Sequence, residues 1–515
     1  MVHINILLIA LIMVLNSFSS GLYDEPYRPQ LHFSPPVGWM NDPNGLVYHD
    51  GIFHLFYQHD PKTTIQGQMH WGHAISTDMI YWTNLDIALT PPKGIAYFSG
   101  GAIIDYNNVT GFQMSANVKP LIAIFTAHNR ATYEQEQWLA YSNDGPEYKH
   151  FELYENNPII GKLNTDPSKP IDFRDPAITK WGDHFVLFLA QYNKSLIYNS
   201  LDLKNWELVG DFGEYDGSHS EVWECPSLFP LNVTINGVNV EKHVLIVGLT
   251  GSVLPTTQYF IGSFDGKKFT NENSPETTLW VDYGPDSYAG ITYNQLPDGR
   301  RVFVSWMNKW EYAEQLNFNV WNGQMGLMRE LKLKQVGDQT RLVSYPVREE
   351  EKLRTYVVRK ENIKISTNRC VYKITPDGKT KHTVDMEITL DVTDLKKGDS
   401  IEFTFFDKND NLTISLTENE FTLERNNTGR TNFSNFTRPL KAPRLIDSPE
   451  LKLRIIIDRS SIEFFADDGL TVMSALFFSD EDIASKIAIQ VYSSLADSIV
   501  HLKNFNAYQM KSIWN

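Results

Sequence analysis

A repeated turn signature, Ser-x-Asp-x-x-x-aromatic, constrains the fold of this chain more than any other feature of its sequence. Its four copies begin at serines that lie 66, 58 and 63 residues apart, namely Ser76, Ser142, Ser200 and Ser263. Each copy follows a short apolar segment, as expected of a β-strand that ends in an Asp-led turn. A unit of about 60 residues with several short strands is typical of a β-propeller blade. Residues from about 30 to 335 leave room for five blades, the last of which lacks the signature.

The sequence changes character after Arg329, where no further copy of the signature appears. Charged residues crowd positions 348–354, and segments such as 401–405 alternate apolar and polar residues as half-buried strands do. We therefore predict an all-β protein with a five-bladed β-propeller over residues 22–335. A linker over 336–354 and a C-terminal β-sandwich over 355–515 complete the prediction.

The N-terminus and the charge balance indicate a secreted protein that does not bind nucleic acid. Residues 4–15 are nearly all apolar and precede a cluster of small residues, so residues 1–21 are predicted to be a signal peptide. The formal net charge of −16 disfavours a nucleic-acid partner, and no apolar segment reaches the roughly 20 residues that span a bilayer. With only two cysteines, the chain is not a disulfide scaffold. Seven N-x-Ser/Thr sequons predict a glycoprotein, and they begin at Asn108, Asn193, Asn232, Asn411, Asn426, Asn432 and Asn435.

Three acidic residues at blade-like separations are candidates for a catalytic site. They are Asp42 in WMNDPNG, Asp175 in FRDP and Glu224 in WECP, and a proline follows each at the next position or one further on. Because the first strands of propeller blades line a central channel, we expect the three side chains to converge there. Arg174 is expected to keep Asp175 ionised, and the aromatic and thiol neighbours of Glu224 predict a less polar setting and a raised pKa. Two carboxyl groups in opposite protonation states are what glycosidic cleavage requires.

These motifs together resemble glycoside hydrolase family 32, the invertases, inulinases and related β-fructofuranosidases. The resemblance runs in order along nearly the whole chain and also includes FYQ at 56–58, WGH at 71–73, FSG at 98–100, DYG at 282–284, WEY at 310–312 and residues 458–464. It implies a five-bladed propeller that carries the active site, followed by a β-sandwich. It further implies that Asp42 is the nucleophile, that Glu224 is the acid/base, and that Asp175 binds fructosyl hydroxyls in the transition state.

The same resemblance implies a set of residues that bind the sugar. They are Asn41, Gln58, Trp71, Phe98, Ser99, Arg174 and Trp310. For Trp71, Trp223 and Trp310, packing between blades is the alternative role. No metal and no cofactor are expected. Residues 458–464 are predicted to form an ordinary hairpin, in a domain that supports the propeller and does not catalyse.

Three positions depart from the usual pattern of the family. Gln66 precedes Gly67 where many relatives have Trp-Gly, Gly101 follows FSG where relatives have serine, and Ser287 stands where Phe or Tyr is usual. We expect all three to affect the shape of the pocket and the length of substrate it accepts, and not the chemistry.

The predicted function is that of a secreted, retaining β-fructofuranosidase. It hydrolyses terminal β-D-fructofuranosyl residues of sucrose, and of short fructans as a further substrate, through a covalent fructosyl-enzyme. A fructosyltransferase shares that intermediate and is the first alternative. An inverting arabinanase-like glycosidase and a non-catalytic carbohydrate-binding relative are the others. The sugar substrate is the expected partner, with a homodimer through the C-terminal domain as a further option.

Overall fold

The structure, a computed structural model, describes residues 22–161, 172–251, 255–316, 318–366, 370–373, 383–493 and 498–514. The segment expected to be a signal peptide lies outside these residues. The described chain forms seven sheets, five of them arranged as the blades of a propeller and two as a sandwich. The all-β, five-bladed prediction is therefore confirmed.

The first three blades are antiparallel sheets whose strands follow one another in chain order. The first blade has β1 (Gly38–His49), β2 (Ile52–Asp60), β3 (His70–Ser76) and β4 (Thr83–Asn84). The second has β5 (Ile95–Ile104), β6 (Leu121–Asn129), β7 (Gln135–Ser142) and β8 (Glu152–Leu153). The third has β9 (Phe173–Trp181), β10 (His184–Gln191), β11 (Lys194–Ser200) and β12 (Glu207–Phe212).

The fourth and fifth blades carry additions that the first three lack. The fourth has β13 (Trp223–Ile235), β14 (Val238–Leu249), β15 (Thr257–Phe264), β16 (Phe269–Asn271) and β17 (Leu279–Asp282), the last paired with β15. The fifth has β18 (Tyr288–Thr292), β19 (Arg301–Trp306), β21 (Arg329–Val336) and β22 (Gln339–Pro346). Between β19 and β21 lie the short helix α1 (Trp310–Ala313) and β20 (Trp321–Asn322), which pairs with β1 of the first blade.

The repeated signature marks the end of the third strand in each of the first four blades. In the first copy, the Ser76 hydroxyl accepts hydrogen bonds from the backbone N–H groups of Asp78 and Met79. The Asp78 carboxylate in turn accepts from two following N–H groups. The predicted Asp-led turn is thus confirmed, and it explains the sequence pattern because only a short polar side chain can satisfy these backbone donors.

Apolar packing between neighbouring blades closes the ring. Five buried clusters each lie between two adjacent blades, and the one that joins the fifth blade to the first includes Leu55, Tyr293 and Val304. The pairing of β20 with β1 adds hydrogen bonds to the same closure. The first strands β1, β5, β9, β13 and β18 contact one another around the axis, so side chains from distant parts of the sequence meet there.

The C-terminal domain is a sandwich of two six-stranded sheets around one apolar core. One sheet has the order β23-β34-β25-β30-β31-β32 and the other β24-β33-β26-β27-β28-β29. The strands are β23 (Arg354–Ile365), β24 (Cys370–Lys373), β25 (Val384–Asp391), β26 (Ser400–Asp407), β27 (Asp410–Thr417), β28 (Glu420–Asn427), β29 (Leu440–Pro443), β30 (Glu450–Asp458), β31 (Ser461–Ala466), β32 (Thr471–Leu476), β33 (Lys486–Tyr492) and β34 (Val500–Met510).

The two domains meet where a linker was expected. Residues 336–354 include β22, which pairs with β21 along its length, and the 3₁₀-helix Arg348–Leu353. The fifth blade therefore extends to Pro346, and we propose residues 347–353 as the junction between the domains. A second 3₁₀-helix, Ile483–Ser485, precedes β33. Nowhere in the described ranges is there a helix of sufficient length and apolar character to cross a membrane.

Candidate active site

The channel residues lie on β-bulges that recur at the same place in all five first strands. In each blade two residues of the first strand oppose a single residue of the second. The bulged pairs are Asn41-Asp42, Phe98-Ser99, Asp175-Pro176, Cys225-Pro226 and Ala289-Gly290. A bulge interrupts the alternation of side chains and turns a residue toward a new direction. Each bulge therefore aims a side chain at the channel, except in the fifth blade, where the pair is Ala-Gly.

Backbone conformation explains why proline accompanies the acids. Pro43, Pro176 and Pro226 all fall at the bulges, where the ladder does not need an N–H donor. Asp175 and Cys225 have φ angles of +63° and +49°, a region that side chains seldom adopt. Such strain is retained where the surrounding structure enforces it, which is characteristic of functional sites.

Asp42 is held at the centre of the channel by hydrogen bonds to both carboxylate oxygens. The Ser99 hydroxyl donates to Oδ2 at 2.6 Å, and the Asn41 amide donates to Oδ1 at 3.0 Å. Asn41 is itself fixed, because its Oδ1 accepts from the Trp39 indole at 2.8 Å. Only 7% of Asp42 is exposed. Burial, followed by the negative charge of Glu224, raises the pKa of Asp42 from 3.8 to about 6.

Asp175 lies beside Asp42, with the Cys225 thiol between them. The Cys225 sulfur is 3.7 Å from Oδ2 of Asp42 and 3.5 Å from Oδ2 of Asp175, and the Cys225 N–H donates to the same Asp175 oxygen at 3.2 Å. The backbone N–H of Asp175 donates to the Thr126 hydroxyl. Burial and the charge of Glu224 raise the pKa of Asp175 above its ordinary value. Burial also raises the pKa of the Cys225 thiol, so this sulfur remains protonated.

Arg174 pairs with Glu224, not with Asp175 as the sequence suggested. Its Nε donates to Oε1 of Glu224 at 2.9 Å, and its Nη1 donates to Asp172. The charge of Arg174 does lower the pKa of Asp175, but burial and Glu224 outweigh it. The expected effect of Arg174 on Asp175 is thus present but smaller than the opposing effects, because the Arg174 guanidinium binds Glu224 and Asp172.

The expected apolar setting of Glu224 is not what the fold provides. The Trp223 ring is buried in the core between the third and fourth blades, and its Nε1 donates to the Ser218 carbonyl. The Cys225 thiol faces the two aspartates. Neighbours in a strand point to opposite faces, so adjacency in the sequence did not place either group against the Glu224 carboxylate. Glu224 instead faces the Arg174 guanidinium.

Three of the expected sugar-binding residues line the channel around Asp42. The Asn44 side-chain amide has hydrogen-bond partners for both its oxygen and its nitrogen in one of its two orientations. In that orientation the oxygen accepts from Gln58 Nε2 at 2.9 Å and the nitrogen donates to the Ser99 hydroxyl at 3.2 Å. Gln58, Asn44, Ser99 and Asp42 thus form one chain of hydrogen bonds. Trp310 stands on α1, half-buried, and stacks on Trp39 with ring centroids 5.9 Å apart. Trp310 also contacts Trp306, with ring centroids 4.9 Å apart, so it is anchored by two buried indoles next to Asn41, the partner of Trp39.

Trp71 and Phe98 differ in their placement. Trp71 is completely buried between the first and second blades, where it packs against Phe56 and Phe125 and donates to the Phe98 carbonyl. A direct sugar contact for Trp71 is therefore not supported, and packing, its alternative role, is what the structure has. Phe98 is half-buried at the rim of the channel and stacks on His128.

Of the three departures from the family pattern, two line a cavity or groove at the channel. Gln66 is exposed and lines a groove with Phe98 and His128. Gly101 lines a cavity of the channel together with Ser99 and Asp175, and a Cβ at this position would approach the backbone of Ile178 at 3.2 Å. Ser287 is buried and shares a hydrogen bond with Ser305. The expectation that all three shape the pocket therefore has direct structural support for Gln66 and Gly101 and none for Ser287.

Several residues of the site were missed by sequence reasoning. Asn44 joins Gln58 to Ser99, Thr126 fixes the Asp175 backbone, and Asp172 anchors Arg174. Asn44 stands within WMNDPNG, and Asp172 directly precedes FRDP. Thr126 carries no local signal, because it comes from β6, opposite the bulge of the second blade. Only the register of that pair identifies it.

The arrangement provides two aspartates held by donors and a glutamate held by a guanidinium, all in a partly enclosed channel. Such a set can supply a nucleophile and a proton donor for glycosidic cleavage. Within the described ranges, no group of three or more His, Cys, Asp or Glu side chains is arranged to hold a metal ion.

Two protein-family models match most of the chain. The model described as "Glycosyl hydrolases family 32 N-terminal domain" matches residues 32–346, and "Glycosyl hydrolases family 32 C terminal" matches residues 349–509. A levanase from Bacillus subtilis (strain 168) is 36% identical over 537 residues, which cover 99% of this chain and 74% of the levanase. An extracellular exo-inulinase from Aspergillus awamori is 32% identical over 547 residues, covering 96% of each protein.

Solved structures share the fold over nearly the full length. The crystal structure of exo-inulinase from Aspergillus awamori has a TM-score of 0.84 and 30% identity, covering 96% of this chain and 100% of that chain. The β-fructofuranosidase from Schwanniomyces occidentalis, solved in complex with fructosyl-erythritol, has a TM-score of 0.82 and 28% identity. It covers 96% of this chain and 99% of that chain.

Proposed function

Because the chain belongs to glycoside hydrolase family 32 and is an enzyme of the β-fructofuranosidase type, we propose that it is a secreted, retaining β-fructofuranosidase. Its substrates are terminal β-D-fructofuranosyl residues of sucrose and of short fructans. The observation that carries this proposal is the buried Asp42 carboxylate, which is oriented by Ser99 and Asn41 and interacts electrostatically with Glu224, the partner of Arg174. The levanase and exo-inulinase relatives favour fructans beside sucrose.

In the proposed first step, an Asp42 oxygen attacks the anomeric carbon of the fructosyl unit. The bond from that carbon to the leaving oxygen breaks, and Glu224 gives its proton to that oxygen. In the second step Glu224 takes a proton from water, the water oxygen attacks the anomeric carbon, and the ester bond to Asp42 breaks. Two inversions at one carbon produce net retention. The mechanism needs the two carboxyl groups about 5–5.5 Å apart.

The neighbouring side chains have defined parts in this mechanism. The hydrogen bonds from Ser99 and Asn41 hold the Asp42 carboxylate in one orientation, which lowers the entropic cost of reaching the reactive geometry. Arg174 orients Glu224, and Asp172 orients Arg174. Asp175 binds fructosyl hydroxyls, and its hold is expected to tighten in the transition state, so Asp175→Ala should lower kcat more than it raises KM.

A fructosyltransferase remains the second candidate, because the same ester can be attacked by a sugar hydroxyl in place of water. Oligosaccharide products at high sucrose, and free fructose at low sucrose, would separate the two activities. A non-catalytic relative is disfavoured because all three acids are retained in the channel. Because the chain belongs to glycoside hydrolase family 32, the arabinanase-like alternative is rejected.

Secretion, glycosylation and dimerisation are further parts of the proposal. None of the seven sequon asparagines is buried, so each is open to glycan attachment. Expression in a secreting host should release a protein that begins after the predicted signal peptide and loses mass on glycan removal. Light scattering of that protein would show whether it is a dimer. Substitutions on the surface of the C-terminal domain would then test whether the dimer forms through this domain.

The deciding experiment is NMR of the first-formed fructose anomer. With sucrose as substrate, the β-anomer should appear first and then mutarotate. Initial α-anomer would overturn the double displacement and the role of Asp42. As a control for the general base, azide should restore part of the turnover of Glu224→Ala, since azide attacks the ester without needing to lose a proton.

A further inference from the structure

A groove beside the channel is lined by residues to which the proposed mechanism gives no role. It runs between the loop before β3 and the hairpin loop that joins β6 to β7. Its lining residues are Gln66, Gly67, Met69, Phe98, His128, Arg130 and Tyr133. Phe98 directly precedes Ser99, which holds Asp42, so the groove opens from the rim of the channel.

The loop that carries Gln66 is fixed by one carboxylate. Asp60 accepts hydrogen bonds from the backbone N–H groups of Lys62 at 2.8 Å and Gln68 at 2.7 Å. A Cβ at Gly67 would collide with the same carboxylate, so this position requires glycine. The Gln66 N–H also donates to Glu314 at 3.3 Å. The amide of Gln66 therefore projects from a backbone that is already organised without ligand.

The opposite wall is organised in the same way. The Asn129 side chain accepts from the N–H groups of Ala131 and Thr132, and the Tyr133 N–H donates to the Asn129 carbonyl at 2.7 Å. Arg130 donates to the Gly67 carbonyl and ties this loop to the first wall. Tyr133 adopts a φ of +60°, and yet 70% of the residue is exposed. The fold thus holds a strained residue in order to present a large ring to solvent.

The chemistry of the walls suits a sugar. Phe98 stacks on His128 with centroids 4.6 Å apart, and the Tyr133 ring lies 6.1 Å from His128 at 57°. Aromatic faces pack against the apolar faces of sugar rings, and the amide of Gln66 and the guanidinium of Arg130 offer donors for hydroxyls at the edges. A rigid, aromatic and polar groove of this kind binds without a large cost of ordering.

The position of the groove indicates which part of the substrate it meets. His128 pairs across its hairpin with Gln135, whose side-chain oxygen accepts from the backbone N–H of Phe173, the residue before Arg174. Arg174 is the partner of Glu224. Glu224 is the proposed donor of the proton to the leaving oxygen. Sugar units attached to that oxygen leave the channel on the side of Glu224, where this groove begins.

We propose that the groove binds fructosyl units of the leaving-group portion of a β-fructan chain, and that Tyr133 and Gln66 select oligofructosides over sucrose. The inference rests on the proposed function, because it takes the fructosyl unit at Asp42 as the starting point. Sucrose has only one leaving sugar and reaches little of the groove, whereas a chain of three or more units extends along it.

The test compares Tyr133→Ala and Gln66→Ala with Tyr356→Ala, a matched control in which a half-exposed tyrosine is removed from β23 of the sandwich. For a linear β-fructan tetrasaccharide, each groove variant should lose about three- to tenfold in kcat/KM, mainly through KM, as expected for one lost contact of about 1 kcal/mol. Sucrose turnover should change by less than about twofold. The control should leave both substrates unchanged.

A binding measurement separates this inference from the proposed mechanism. Calorimetry with Asp42→Asn should show tighter binding of the tetrasaccharide than of sucrose, and Tyr133→Ala in that background should remove the difference. Equal losses of kcat/KM on both substrates, or no loss on the tetrasaccharide, would overturn the proposed role of the groove. If the wild-type enzyme cleaved neither sugar, the proposed function would fail, while binding of the tetrasaccharide would still decide the groove. Absence of both cleavage and binding would overturn the two proposals together.

Discussion

The channel and the interface between the domains both bury carboxylates, but the hydrogen-bond partners of Asp42 in the channel are neutral, whereas those at the interface include cations. At the interface, Asp458 accepts from the backbone N–H groups of Gln30 and Leu31 and from His32. Glu463 accepts from Arg329 at 2.6 Å, and also from His32. In the channel, Asp42 accepts from neutral amide, hydroxyl and thiol groups. Asp42 is nearly as buried as Asp458 and Glu463, so burial alone does not decide the state of an acid.

The pKa values follow the partners. Despite burial, Arg329 and His32 lower the pKa of Glu463 to about 2, and His32 lowers that of Asp458. Burial and the charge of Glu224 raise the pKa of Asp42 to about 6. A cationic partner stabilises the ionised form, while a neutral donor does so only in part. The interface is thus built for stability, and the channel retains acids whose protonation can change at mild pH.

The hairpin over 458–464 shows how far this difference reaches. It is a hairpin of β30 and β31, as expected from the sequence, but its acids are directed at the propeller. Arg329 also pairs with Asp282 at 2.8 Å, so one arginine of the propeller joins both domains. We propose that this domain supports the propeller and does not catalyse.

The largest expected effect comes from Asp42→Asn. The amide cannot form the ester, so kcat on sucrose should fall at least about 10⁴-fold. The raised pKa means that the folded state binds the proton more tightly than the unfolded state, so ionised Asp42 destabilises the fold above pH 6. The variant should therefore be more stable at pH 7, on the order of 1–3 kcal/mol.

Sucrose assays and thermal unfolding at pH 7 and pH 4 check this pair of effects. The gain in melting temperature should disappear at pH 4, where wild-type Asp42 is protonated. If Asp42→Asn lost both activity and stability, Asp42 would stabilise the fold as the interface acids do, and the contrast between the two regions would be wrong.

The second effect is expected from Glu463→Gln. Removal of one charge from a buried pair costs about 3–5 kcal/mol, because Arg329 and His32 lose their partner. The melting temperature should drop by several degrees, while kcat of the folded enzyme stays within about threefold of wild type. Glu420→Gln is the matched control, because its ion pair with Lys441 is exposed and contributes about 0–1 kcal/mol. Loss of kcat as complete as in Asp42→Asn would contradict the division of labour.

The third effect is a decline of stability in mildly alkaline solution. Although burial acts against it, hydrogen bonds to Asp458 and Glu463 raise the pKa of His32 from 6.5 to about 9. Its contribution is fully present below pH 6.5 and is lost as the pH rises through 9. Glu350, whose pKa burial raises to about 8, acts in the same direction. Between pH 6 and 9.5, His32 should contribute a loss on the order of 3 kcal/mol to the free energy of unfolding of wild type, and His32→Gln should show a shallower decline that retains the contribution of Glu350. A rise in stability over this range would show that the cluster does not hold a charged histidine.

The smallest effect concerns the thiol between the two aspartates. If Asp42 controls the acidic limb of kcat/KM, that limb should have an apparent pKa near 6. Cys225→Ser supplies a stronger donor to Asp42 and should move the limb to lower pH by a few tenths of a unit, and Cys225→Ala should move it the other way. Rate–pH profiles on sucrose measure both shifts. Identical profiles for the two variants would mean that the thiol does not influence Asp42.

Local patterns in the sequence were sufficient for the architecture and for the three acids. The serine signature predicts the ends of the third strands because a turn is a local structure whose donors are satisfied within a few residues. The prolines after Asp42, Asp175 and Glu224 mark the bulges for a similar reason, since they occur where the ladder needs no donor. These features could be predicted because their physical causes act between near neighbours.

The partners of those residues were decided only by the tertiary structure. Arg174 lies next to Asp175 in the chain but binds Glu224, and Thr126 reaches Asp175 through the register of another blade. Trp71 is buried because the second blade packs over it, and Arg329 meets Glu463 only when the domains dock. The sequence by itself determined the turns of the blades and which three acids are candidates for the site. Which charge meets which depends on contacts between residues far apart in the chain, and these contacts set whether a buried acid is ionised and stabilising or free to react.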